Sequence, residues 1–144
     1  MKRTLFTIVN ILITLTLFAQ KQPDINSIID KNARVTAFAE TDNSYWYGTD
    51  KGLYRIKKKS MRVYFFNEKN SALPSDNVTC ICTKPDGEVY VGTDKGILRY
   101  DLYALINITT ENSDIPSNNI KFLSFDPKKG ITVRTIDNSM AMVK

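Results

Sequence analysis

The chain has 144 residues, 42% of them hydrophobic, with 20 Lys and Arg against 15 Asp and Glu and no histidine. Without imidazole these residues hold no Ser-His-Asp or Cys-His catalytic site, no imidazole metal site and no phospho-accepting histidine. The formal charge of +5 is too small to argue for a nucleic-acid partner.

Met1-Lys2-Arg3 precedes an apolar run from Leu5 to Ala19 that only threonines and Asn10 interrupt. A charged start, an apolar stretch and a small residue at its end predict a secretory signal peptide over 1–19. The run is shorter than the ~20 residues of a spanning helix. Cleavage after Ala19 leaves 18 basic against 15 acidic residues, a balance of +3, and predicts a periplasmic or secreted location. The lead-in over 20–34 offers little beyond Ile25-Asn26-Ser27-Ile28-Ile29.

The remainder, 35–144, is read as one domain of repeats. Tyr47-Gly48-Thr49-Asp50-Lys51-Gly52 returns as Val91-Gly92-Thr93-Asp94-Lys95-Gly96, and a period of this length marks a repeat architecture. Val35-Thr36-Ala37 aligns with Val78-Thr79-Cys80 and more loosely with Ile120-Lys121-Phe122. The units are therefore 35–77, 78–119 and a partial 120–144, in which Ile131-Thr132-Val133-Arg134-Thr135 has lost the strand glycine.

Short stretches rich in Val, Ile, Tyr, Phe and Thr between turn residues predict antiparallel strands. In the first unit they fall at 35–40, 45–49, 52–56 and 61–66. In the second they fall at 78–83, 88–93, 96–100 and 103–109, and in the third at 120–125, 130–135 and 140–143. Pro85-Asp86-Gly87 predicts a tight turn. Asp50-Lys51-Gly52 and Asp94-Lys95-Gly96 predict hairpin turns with glycine at positive φ, the Asp accepting from amides just ahead of it. Gly48 and Gly92 lie inside strands, which predicts close approach of another backbone or an aromatic ring. Gly48, Thr49, Asp50, Gly52, Gly92, Thr93, Asp94 and Gly96 are thus read as architecture. Cys80 and Cys82, two apart on one strand, point to one face and are read as reduced core thiols.

Four strands per unit predict an all-β fold, a partial β-propeller of two to three four-stranded antiparallel blades. The strings from Tyr45 to Arg55 and from Val89 to Asp101, with the lead-in Leu73-Pro74-Ser75-Asp76-Asn77-Val78, resemble the two-component regulator propeller repeat. That resemblance implies the periplasmic sensor region of a hybrid histidine kinase, or a related exported propeller, that recognises oligosaccharides. Such propellers have many blades, so the chain reads as a fragment or remnant of a longer one. Its expected partners are an oligosaccharide or other small ligand, further blades in cis, or a second copy closing a ring. A membrane enters only through a C-terminal region beyond these residues.

Alternating connections place the lysines Lys57, Lys58, Lys59 and Lys84 at one end, where an anionic glycan is one expectation and solvated loops the other. Tyr45, Trp46 and Tyr47 form the dense aromatic cluster, available for stacking on sugar or for blade packing. No carboxylate pair has the surroundings that push two pKa values apart, and no calcium-loop spacing occurs. The expectation is a non-catalytic binding module without metal or cofactor. The competing readings are a fragment of an extracytoplasmic propeller enzyme acting on glycans and a structural blade protein that oligomerises.

Overall fold

Gly52 and Gly96 stand at φ +133° and +136°, the conformation that lets a strand reverse within two residues. Around these reversals a computed structural model describes residues 23–143 as eleven antiparallel strands in three sheets. The signal peptide expected at 1–19 lies outside the described residues. A short helix, α1 (Ile25–Ile28), starts the lead-in, with Asp24 accepting from the Asn26 amide at 3.2 Å.

The first blade is β1 (Val35–Glu40), β2 (Ser44–Thr49), β3 (Gly52–Lys57) and β4 (Val63–Phe66), hydrogen-bonded in that order. The second repeats the order with β5 (Val78–Thr83), β6 (Val89–Thr93), β7 (Gly96–Tyr100) and β8 (Leu105–Ile108). The third has β9 (Ile120–Asp126), β10 (Gly130–Thr135) and β11 (Met140–Val143). Every strand falls within two residues of its expected place. The molecule is a partial propeller.

The blades stack face to face, β1 against β5 and β5 against β9. Because side chains alternate across a strand, each joint has its own core. Trp46, Leu53, Val78, Val89, Val91 and Leu98 fill the first. Cys80, Tyr90, Ile97, Ile120, Leu123, Ile131 and Val133 fill the second. Each of these large side chains contributes on the order of 2 kcal/mol through burial.

The strand glycines meet neither backbone nor ring. A Cβ on Gly92 would lie 2.5 Å from Cys80 Sγ and 2.8 Å from Ile120 Cγ2 of the next blade. A Cβ on Gly48 would overlap Val78 Cγ1 and stand 3.0 Å from Val78 Cβ. The glycine is a socket for a branched aliphatic side chain opening the neighbouring blade. Beside each socket a threonine latches the joint: Thr36 Oγ1 donates to the Val78 carbonyl and Thr79 Oγ1 to the Ile120 carbonyl, both at 2.6 Å.

Cys80 and Cys82 are free thiols, Cys80 buried and Cys82 half-buried. Burial pushes the Cys80 thiol up to about 11 and also raises Cys82. Both therefore stay protonated at neutral pH, as packing residues do.

Candidate functional site

The repeated turns are held by threonine. Thr49 Oγ1 donates to the Gly52 carbonyl at 2.8 Å and accepts from the Lys51 amide at 3.0 Å. Thr93 repeats both bonds, to Gly96 at 2.8 Å and from Lys95 at 3.1 Å. The aspartates reach elsewhere than expected. Asp50 accepts from the Arg34 amide at 2.8 Å, and Asp94 from the Asn77 side-chain amide at 3.2 Å. Each ties a hairpin to the lead-in of its own blade, because the Thr hydroxyl already occupies the amide inside the turn.

Trp46 is 1% exposed and lies inside the first joint. Phe66 and Tyr100 flank it with ring centroids at 6.5 and 5.2 Å, and the Arg55 guanidinium carbon lies 5.1 Å from its ring centroid. Arg55 Nε donates to Ser44 Oγ at 3.0 Å and Nη1 to the Tyr100 hydroxyl at 2.6 Å. This latched cation–π packing leaves no ring face for a sugar. Tyr45 and Tyr47 lie on the opposite face of the blade, Tyr45 buried and Tyr47 half-buried, both against Phe38. The three rings therefore make no common platform, since alternation divides them between faces.

The lysines do gather in part. A cleft of about 560 Å³ opens between the first two blades at the end carrying the β1–β2, β3–β4, β5–β6 and β7–β8 connections, with Phe125 of β9 reaching into its wall. Lys58 and Lys84 line it with Glu40, Thr41, Asp42, Asn43, Asp86, Leu102 and Phe125. Lys57 and Lys59 do not. Lys58 pairs with Glu40 at 2.5 Å, and Lys84 with Asp86 at 2.9 Å and Glu88 at 2.6 Å. Both cations are engaged by neighbouring carboxylates, and Asp42 adds a further acid to the lining. An anionic glycan would compete with those carboxylates.

Leu102 adds a feature that strand patterns do not carry. It lines the cleft at φ +77°, an outlier for a bulky residue, and such strain costs roughly 1–3 kcal/mol. The Asp101 carboxylate holds the surrounding turn, accepting from the Tyr103 and Ala104 amides at 3.1 and 2.8 Å. Tyr103, beside it, is 96% exposed. Nothing local in the sequence marks this strained turn: the expected strands at 96–100 and 103–109 leave only 101–102 between them.

Behind the cleft wall Glu88 accepts from Lys84, from Arg99 Nη2 at 2.5 Å and from the Tyr90 hydroxyl at 3.1 Å. Burial raises its carboxyl, but the Lys84 and Arg99 bonds outweigh that and hold it below the ordinary value. A carboxyl lowered by folding contributes stability above its unfolded pKa, about 4.3. That contribution disappears as pH falls through the folded value. Glu88→Gln should therefore lower the thermal midpoint at neutral pH by the equivalent of about 1–2 kcal/mol. The variant should also lose less stability than wild type between about pH 5 and about pH 2. Parallel pH profiles would contradict this assignment.

Among known proteins, the family model described as two component regulator propeller matches residues 72–95. These span the second lead-in, β5, β6 and the following turn. Residues 72–95 carry the two-component regulator propeller repeat. The extracellular domain of a putative hybrid two-component system from B. thetaiotaomicron is similar in fold, with a TM-score of 0.64 and 20% identity over 87% of this chain. A second such domain from that organism gives 0.61 and 22% over 81%. PorZ, a surface component of the type-IX secretion system of Porphyromonas gingivalis, gives 0.58 and 22% over 75%. This chain spans only 16%, 18% and 17% of the length of those chains. No curated protein matches the sequence.

Proposed function

We propose that this chain is a non-catalytic, exported segment of a propeller sensor for signal transduction, and that it recognises a neutral oligosaccharide in the cleft between its first two blades. The regulator propeller repeat and its fold relatives support the sensor reading, and the apolar run at 5–19 supports export. The observation that carries the ligand class is the pairing of Lys58 and Lys84 with their own carboxylates. The lysine charges are balanced within the wall, and Thr41 and Asn43 stand beside the apolar Leu102 and Phe125, the Thr41 hydroxyl donating to Asn43 Oδ1 at 3.3 Å. Polar rims around a small apolar floor suit a sugar ring better than a phosphate or a uronate.

The test is an array of neutral and anionic oligosaccharides, followed by calorimetry on the strongest binder. Leu102→Gly removes the side chain from the cleft and relieves about 1 kcal/mol of backbone strain. The expected outcome is a higher thermal midpoint together with weaker binding of a neutral sugar. Binding confined to anionic sugars, or affinity unchanged by Leu102→Gly, would overturn the assignment.

A further inference from the structure

The β7–β8 connection belongs to the middle blade, so described blades stand on both sides of it. Tyr100 pairs with Leu105, and the Asp101 amide donates to the Ala104 carbonyl at 3.2 Å. Leu102 and Tyr103 are therefore the tip of a tight hairpin, a turn that favours glycine, asparagine or aspartate where φ is positive. Here the positive position, at φ +77°, holds leucine. Glycine would make the same turn without the steric cost. Outliers of this kind persist where the surroundings fix them, and they cluster at ligand sites.

The tip side chains have different surroundings. Leu102 lines the cleft, and its Cδ2 lies 3.7 Å from where a Cβ on Gly87 would stand, so it covers the β5–β6 turn. Tyr103 is 96% exposed and contributes nothing to the core. Its backbone is fixed nonetheless, because the Asp101 carboxylate accepts from the Tyr103 and Ala104 amides. Consecutive Cα atoms stand ~3.8 Å apart, so a ligand chain leaving the cleft over Leu102 meets the Tyr103 ring next. The β3–β4 connection of the first blade has its own positive-φ residue, Met61 at +53°, which does not line the cleft. No aromatic residue stands between Lys57 and Arg62 there. A residue that builds the repeat recurs in each blade, and this aromatic tip does not. Lone exposed aromatics are ordinary on protein surfaces; the strained support beneath this one sets it apart.

We infer that Tyr103 is an outer subsite of the cleft, where its ring stacks on the second residue of a neutral oligosaccharide whose first residue sits against Leu102 and Phe125. The inference rests on the neutral-sugar reading of the cleft. The C–H face of a pyranose is apolar, and a tyrosine ring offers it a flat apolar partner with a hydroxyl at the edge. A ring with few side-chain torsions, carried on a fixed turn, loses little freedom on binding. The cleft therefore favours a sugar chain over a single sugar.

Calorimetry on the chain with ladders of neutral glucose, mannose and xylose oligomers, from the monosaccharide upward, tests this. Affinity should rise about fivefold at the step where the ligand first reaches Tyr103. Tyr103→Ala should remove that step and leave the affinity of the shortest binder unchanged, whereas Tyr103→Phe should keep it. Leu102→Gly should weaken every length, which marks the cleft itself. Thermal midpoints of both Tyr103 variants should match wild type, since the side chain is exposed. A length step that survives Tyr103→Ala while Leu102→Gly weakens all lengths overturns the subsite and spares the cleft. Affinity independent of length does the same. If no ladder binds, the cleft reading falls and the subsite with it.

Discussion

Gly92→Ala is expected to destabilise the protein by about 3 kcal/mol, a loss of roughly 10 °C in thermal midpoint for a domain of this size. The added methyl meets Cys80 Sγ at 2.5 Å and Ile120 Cγ2 at 2.8 Å. Neither can retreat, because Ile120 is 0% exposed and packed among Leu123, Ile131 and Val133. Interiors this dense transmit the strain and do not absorb it. The effect should be coupled to its partner: Ile120→Ala alone costs about 2–5 kcal/mol, and the double variant should cost clearly less than the sum. Additive losses in chemical denaturation would mean that the glycine is required for another reason.

Trp46→Ala should cost about 3–5 kcal/mol and act on folding before it acts on any ligand. The indole is the largest fully buried side chain. Its removal opens a cavity and strips the Arg55 guanidinium of a ring 5.1 Å away, while Tyr100 still holds Arg55 at 2.6 Å. A buried cation that loses part of its surroundings adds to the transfer term. The expected record is a large drop in unfolding free energy, with sugar affinity unaltered in whatever fraction remains folded. Lost affinity with unchanged stability would return the indole to a binding surface.

The strand order and turns were legible because repetition gave every signal two chances to appear. Val-Gly-Thr-Asp-Lys-Gly at 91–96 announces a hairpin by its glycine at φ +136°, and the alternation of 89–93 places Tyr90 and Gly92 on one face. The same alternation divides Tyr45 and Tyr47 from Trp46. The sequence could not say what enters the socket, since Val78 and Ile120 approach from the next blade and spacing along one strand does not encode its neighbour. Local reasoning assigned Asp50 to its own turn, where the nearer Thr49 hydroxyl wins and frees the carboxylate for Arg34. The lysine-rich end looked cationic in one dimension. Lys58 and Glu40 are eighteen residues apart and neutralise each other only once the hairpin closes. The strain at Leu102 had no local signal, because glycine or asparagine is the residue that turn chemistry leads one to look for there.

The socket joint is the central claim, and proton nuclear Overhauser contacts in the folded chain test it most directly. Strong cross-peaks are expected between the Gly48 α-protons and a Val78 methyl, and between the Gly92 α-protons and an Ile120 methyl. Absence of both glycine–methyl contacts in a well-dispersed spectrum would contradict the stacking of these blades.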